Sequence, residues 1–192
     1  MTKDEFLLRF QLQAVKKHQR FLPTATPIKK AAVLVPLFET SEGLQVLLTK
    51  RSAQLKHHAG QISFPGGRVD DTDSDLVYTA LREANEEIGL AFADAKIIGQ
   101  FGQYHTLTGY EITPIITFVP AHFNAQANPA EVAEIFSVPL SHFLNIDNHH
   151  VVMIARAKKM QPVTFIPYQH YNIWGATAAI LRDLALHLRG KV

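Results

Sequence analysis

The sequence predicts an α+β fold within the broad α/β class, a mixed β-sheet flanked by helices, and three observations carry that expectation. Strand-like segments outnumber helical ones in the middle of the chain, and they follow one another as hairpins and meanders. Helical periodicity is strongest at the two ends and in one short acidic segment between them. No G-x-G-x-x-G run follows the first strand-like segment, which argues against a doubly wound dinucleotide-binding sheet.

The elements follow in order. Phe6, Leu7, Phe10, Leu12 and Val15 recur near helical spacing, so an amphipathic helix is expected over about residues 3 to 20. "LPTATPIKK" breaks that pattern with two prolines. "AAVLVPLF" then suits a buried strand, and a turn over Glu39 to Gly43 leads into "LQVLLTKR", the second arm of a hairpin. "QISFPGG" starts as a strand and stops where Pro65, Gly66 and Gly67 make further ladder pairing unfavourable. After the carboxylate-rich loop "RVDDTDSD" comes a helix from about Ser74 to Ile88, with Gly89 placed to close it in a left-handed cap. "KIIGQFGQY" and "EITPIITFVP" are further strands, and "PAEVAEIFSVPLSHFL" reads as a short helical turn leading into an extended stretch. A last helix is expected over about residues 174 to 188, with Ala178, Leu181, Leu184, Ala185 and Leu188 on one face.

At 192 residues the chain is expected to form a single domain, residues 1–192. Nineteen basic and seventeen acidic residues leave a net charge of +2, which points to neither nucleic acid nor a membrane as a partner. There is no cysteine, so disulfides, thiolate nucleophiles and sulfur-ligated zinc are excluded. Any metal must use oxygen or imidazole donors. "MTKDEFLLRFQLQAVKKHQRF" fits neither a signal peptide nor a spanning helix, and a cytoplasmic location is the simplest expectation.

The segment "ALREANEEIGL" carries the chemistry. A helical wheel sets Val77, Leu81, Ala84 and Ile88 on one face and Glu83, Glu86 and Glu87 on the other. Glu83 and Glu87, four residues apart, repel one another by a few tenths of a kcal/mol. A hard divalent cation such as Mg²⁺ or Mn²⁺ reverses that sign, because it prefers carboxylate oxygens together with water and substrate phosphate. A solvated acidic face is the alternative reading of three glutamates taken alone.

"REANEEIGL" is similar to the R-E-U-x-E-E-x-G-U core of the Nudix box, where U is a bulky apolar residue or alanine. Its five specified residues occur by chance on the order of once per million starting positions. Gly67 supplies the opening glycine of a box spanning residues 67–90. Asp73 stands where the box usually has glutamate, and one extra residue separates it from Arg82. The chain thus resembles the Nudix hydrolases, which implies a mixed sheet sandwiched between helices (α/β/α) and cleavage of a nucleoside diphosphate linked to another group. It also implies that Glu83 and Glu87 bind the divalent metal, that Glu86 is a further ligand or a base for water, and that Arg82 orients the glutamates.

"LLTKRSAQLKHHAGQISFPGG" is similar to the segment characteristic of the coenzyme A pyrophosphatase branch, with Lys56 at its second arginine position. That resemblance makes coenzyme A or its thioesters the expected substrate, with Arg51 and Lys56 on phosphate oxygens and Gly66 and Gly67 admitting the diphosphate. "TLTGYEITPIITFVP" and "PAEVAEIFSVPL" resemble later segments of the same branch. Glu131 has two readings there, a base approaching the metal from a loop or a helix-start residue favoured by the dipole. Tyr110 is either an adenine-stacking ring or packing. His57, His58, His105, His149 and His150 stay outside the metal set. ADP-ribose, a dinucleotide or a nucleoside triphosphate is the alternative substrate, and a non-catalytic nucleotide-sensing module is the alternative class. Such modules commonly lose glutamates that this chain retains.

Overall fold

The structure, a computed structural model, describes residues 1–12, 28–106, 108–156 and 159–189. In chain order its elements begin with α1 (Lys3–Leu12), β1 (Lys29–Thr40), β2 (Gly43–Arg51), β3 (Ile62–Ser63), β4 (Gly66–Arg68) and α2 (Leu76–Ile88). They continue with β5 (Lys96–Gln100), β6 (Tyr104–His105), β7 (Tyr110–Phe118), β8 (Val132–Pro139) and α3 (Leu140–Leu144). β9 (His150–Arg156), β10 (Lys159–Tyr168), β11 (Tyr171–Trp174) and α4 (Gly175–Arg189) complete them.

The most apolar run of the sequence becomes the central strand. Along β1, alternate residues serve opposite cores: Ala32 and Leu34 join one cluster, Val35 and Leu37 the other, as the two-residue period of a strand requires. β1 runs parallel to β7 from Lys29 opposite Tyr110 to Leu37 opposite Phe118. Its other edge changes partner along its length. Leu37 to Thr40 pair antiparallel with β2, whereas Ala31 to Val33 pair with β4. With β3 and β8 on β2, and β5 and β6 on β7, this makes one mixed eight-stranded sheet.

Helices cover both faces, as expected of a sandwich. On one side Ala80, Ala84 and Ile88 of α2 pack with Ala32, Leu34 and Ile115. On the other, Phe6 and Phe10 of α1, Phe143 of α3 and Leu181 and Leu184 of α4 pack with Val35, Leu37 and Phe118. Among the described residues no helix is long and apolar enough to cross a membrane.

Several boundaries differ from expectation. The described part of the first helix ends at Leu12, and residues 13–20 of the expected helix lie outside the described residues. α2 begins at Leu76 rather than Ser74, because the Asp75 side chain caps it by accepting from the Tyr78 N–H at 2.8 Å. Gly89 closes it at φ 70, as anticipated. The expected helical turn before β8 is a plain turn, and the helix comes after the strand, as α3. A second sheet, β11-β10-β9, fills residues to which no element was assigned. Trp174 pairs with Phe165 at the end of that sheet and stacks on its ring, so α4 starts one residue later than expected.

Candidate active site

The change of partner along β1 builds the site. β2 leaves β1 beyond Val46, β4 takes its place, and α2 lies over β4. Two adjacent glycines make this possible in different ways. At Gly66, with φ 153, an added Cβ would stand 2.5 Å from the Ala32 carbonyl oxygen and 2.6 Å from Val33 Cα, so only glycine lets the strands close. At Gly67 an added Cβ would fall on the carboxyl group of Glu83, 2.6 Å from Oε2. The carboxylate therefore rests where a side chain would otherwise be.

Arg82 holds that carboxylate in place. Its Nε and Nη2 donate to Asp73 Oδ1 at 2.9 Å and Oδ2 at 3.0 Å, a two-pronged contact. Nη1 reaches Glu83 Oε1 at 3.0 Å and Glu86 Oε2 at 3.4 Å, and Nη2 also donates to the Arg68 carbonyl at 3.2 Å. Asp73 Oδ2 in turn accepts from the Asp70 N–H and the Thr79 hydroxyl, both at 2.9 Å. The Arg82 guanidinium holds the Asp73 carboxyl well below the usual carboxylate range, and Asp73 raises Arg82 reciprocally. Asp73 lies outside α2, in the turn just ahead of its cap. There a shorter acid still reaches the arginine despite the extra residue.

The three glutamates differ in exposure, which the helical wheel does not show. Glu86 is exposed, Glu83 is half-buried, and the Glu87 side chain is only 1% exposed. The wheel assumes that solvent begins where the apolar stripe ends, but here α2 sits on β4 and the sheet wall reaches Glu87. Glu87 Oε1 faces Arg51 Nη1 at 3.4 Å, while its buried Oε2 has no hydrogen-bond partner. Burial pushes the Glu87 carboxyl up to about 8, the charges of Glu83 and Glu131 push the same way, and Arg51 and the Gly66 N–H oppose them. Glu83 is also raised, chiefly by burial.

Arg51 is the last residue of β2, and the β2–β8 register shifts between Lys50 and Arg51. Such a bulge re-aims a side chain, and here the cation meets Glu87. Glu131 stands just before β8, and its carbonyl accepts the Ser52 N–H at 2.8 Å. Its charge acts on both Glu83 and Glu87, and since no helix begins there the helix-start reading is set aside. Lys56, His57 and His58 are exposed in the loop after β2. Tyr110 lies under the Lys29 ammonium, 5.7 Å from its ring centre, and His105 contacts Glu111 at 3.0 Å. His149 is buried and bonded to the Phe143 carbonyl at 2.8 Å.

The donors fit a hard divalent cation. They are carboxylate oxygens, and the buried, partnerless Oε2 of Glu87 is the atom such an ion would satisfy. Among the described residues no three His, Asp or Glu side chains stand ready-made as a metal cage. Glu83 is instead engaged by Arg82, and Glu87 by Arg51. Sequence reasoning missed the Arg51–Glu87 pair, since the two residues lie in different elements and only the bulge joins them. It left the role of Asp73 open, though an acid ahead of the box arginine was a signal for it.

The family model described as NUDIX domain matches residues 28–159. A protein named uncharacterized Nudix hydrolase NudL from Enterobacter sp. (strain 638) is 40% identical over 192 residues, covering 100% of this chain and 97% of that one. One of the same name from Photorhabdus laumondii is 40% identical over 185 residues, with 96% and 97% covered. Among solved structures, a C. elegans Ap4A hydrolase binary complex is similar with a TM-score of 0.52 at 20% identity, covering 62% of this chain and 85% of that one. The Nudix hydrolase RenU from M. smegmatis is similar with a TM-score of 0.51 at 21% identity, covering 67% and 80%. These two likenesses concern the fold alone.

Proposed function

The chain belongs to the Nudix family as a pyrophosphohydrolase, and on that premise we propose that it cleaves the diphosphate of coenzyme A or its thioesters. The products are 3′,5′-ADP and 4′-phosphopantetheine or its acyl form. The observation that carries this reading is the placement of "LLTKRSAQLKHHAGQISFPGG". This stretch, which resembles the coenzyme A branch, forms the wall of the acidic site: Arg51 and the Gly66 N–H lie on Glu87, and Gly67 lies against the carboxyl group of Glu83.

Nudix hydrolases act with divalent metal ions, and in this reading Glu83 and Glu87 hold Mg²⁺ or Mn²⁺, with Glu86 as a further ligand or as base. The bound ion supplies charge neutralisation on the diphosphate and lowers the pKa of water. The chain's own groups do the rest. Arg82, held by Asp73, keeps Glu83 in position. Arg51 and Lys56 take phosphate oxygens, Lys56 as a point charge without a fork. Water attacks one phosphorus, its proton passes to a carboxylate among Glu86 and Glu131, and the bond from the other phosphate oxygen to that phosphorus breaks. In this reading residues 1–192 form one catalytic domain, and its small-molecule substrate and cysteine-free composition suit the reducing cytoplasm.

The test is to incubate the purified protein with Mn²⁺ and a panel of coenzyme A, ADP-ribose and dinucleotides, and to separate the products by chromatography. Release of 3′,5′-ADP from coenzyme A is the expected result. Its absence alongside brisk cleavage of another panel member would sink the substrate assignment.

A further inference from the structure

Two arginines meet the glutamates of α2, and they are held in different ways. Arg82 closes a fork on Asp73 and donates also to the Arg68 carbonyl, so its guanidinium is fixed by groups other than those glutamates. Arg51 has a pinned backbone and a loosely held tip. Its N–H donates to the Gln61 carbonyl at 2.9 Å, and its carbonyl accepts the Gly60 N–H at 3.1 Å. Among the described residues its guanidinium makes a single contact, Nη1 to Glu87 Oε1 at 3.4 Å, well beyond the usual length of about 2.9 Å. The Arg51 side chain is 25% exposed and that of Glu87 only 1%. The carboxylate is enclosed, whereas the arginine has a way out to solvent.

A carboxylate enclosed in this way needs a counter-charge, because burying it unpaired is costly. Arg51 supplies that charge at Oε1 and leaves Oε2 unpartnered. A hard divalent cation supplies twice the charge and accepts oxygen ligands directly. Two cations on one enclosed carboxylate repel one another, since little water is there to screen them. We propose that Arg51 is a stand-in cation for Glu87: it holds the carboxylate until the divalent metal binds, is displaced by that metal, and is thereby released toward the diphosphate. This rests on the reading in which Glu87 is a metal ligand, and it adds an order of events. The metal enters first, and only then does the guanidinium become available to phosphate oxygens. Because displacement opposes metal entry, Arg51 weakens metal binding, the reverse of what a residue that merely positions Glu87 does.

Titration of the purified protein with Mn²⁺, followed by the electron paramagnetic resonance signal of the free ion, tests this without turnover. Arg51→Met keeps an unbranched stem and removes the charge, and it is expected to bind Mn²⁺ about 10-fold more tightly than the wild type. Arg51→Lys keeps the charge and is expected to stay close to the wild type. Equal or weaker binding in Arg51→Met overturns the proposal, as does binding in Arg51→Lys as tight as in Arg51→Met. In proton–nitrogen correlation spectra of the wild type, the Arg51 guanidinium signal, assigned by its absence from Arg51→Lys, is expected to move on adding Mg²⁺. A signal that stays in place overturns the release. Glu87→Gln separates this inference from the reading beneath it, since its Mn²⁺ affinity is expected to collapse. If it collapses and Arg51→Met binds no more tightly than the wild type, the displacement alone fails; unchanged affinity in Glu87→Gln removes the metal reading and the displacement with it.

Discussion

Gly67→Ala adds a single methyl carbon, aimed at the carboxyl group of Glu83. On the present backbone that carbon stands 2.6 Å from Oε2, whereas ordinary contact with a carbon needs about 3.5 Å. The carboxylate must therefore retreat by about 1 Å. The way is open, because the obstacle is the far end of a side chain, and the fold is expected to survive. A displacement of that size at a reacting centre costs on the order of 100-fold in rate, about 2.7 kcal/mol. Gly66→Ala is the matched control. There the new carbon meets the Ala32 carbonyl and Val33 Cα at φ 153, so backbone must move and stability is expected to fall together with activity. Steady-state turnover with Mn²⁺ and thermal unfolding of both variants provide the assay. Full turnover in Gly67→Ala, or wild-type melting in Gly66→Ala, would refute the division of labour between the two glycines.

Glu87→Gln is expected to abolish metal-dependent turnover with the fold intact, and retained turnover would remove Glu87 from the site. Because the folded carboxyl titrates at about 8 rather than its ordinary 4.5, the unfolded chain releases the proton first. In a chelator, the stability present below 4.5 is lost as pH rises toward 8. Melting curves should show this loss in the wild type, its absence in Glu87→Gln and its reversal on adding Mn²⁺; a pH-independent wild type would contradict the burial argument. Arg82→Lys keeps the charge but loses the fork on Asp73, so kcat should drop about 10- to 100-fold. The KM for coenzyme A should move little, and a change confined to KM would mean that Arg82 contacts substrate instead.

The site was legible in the sequence where its residues are neighbours. Arg82, Glu83 and Glu87 fall within one helix whose end Gly89 marks, and Gly67 opens the box that they close. What the sequence could not show was set by partners far along the chain. The wheel put Glu87 on the acidic face but contains no sheet and so could not show its burial, and the fork in β1 that buries it depends on β4 replacing β2. Arg51 meets Glu87 where the register between β2 and β8 shifts, and such a shift leaves no mark in composition. Residues 150–174 hid their sheet because Pro162 and Pro167 interrupt the run, and proline within a run demotes a strand reading. Both stand within β10.

The parallel pairing of β1 with β7 also dictates an order of events during synthesis. β1, β2 and α2 leave the ribosome long before β7, which pairs with β1 roughly eighty residues later in the chain. Until then α2, with its three glutamates, has only part of the surface it is meant to cover. Glu131, ahead of β8, arrives later still. The acidic centre is therefore completed well after the helix that carries its glutamates, and a nascent chain halted before β7 would expose the apolar stripe of α2 to chaperones and proteases.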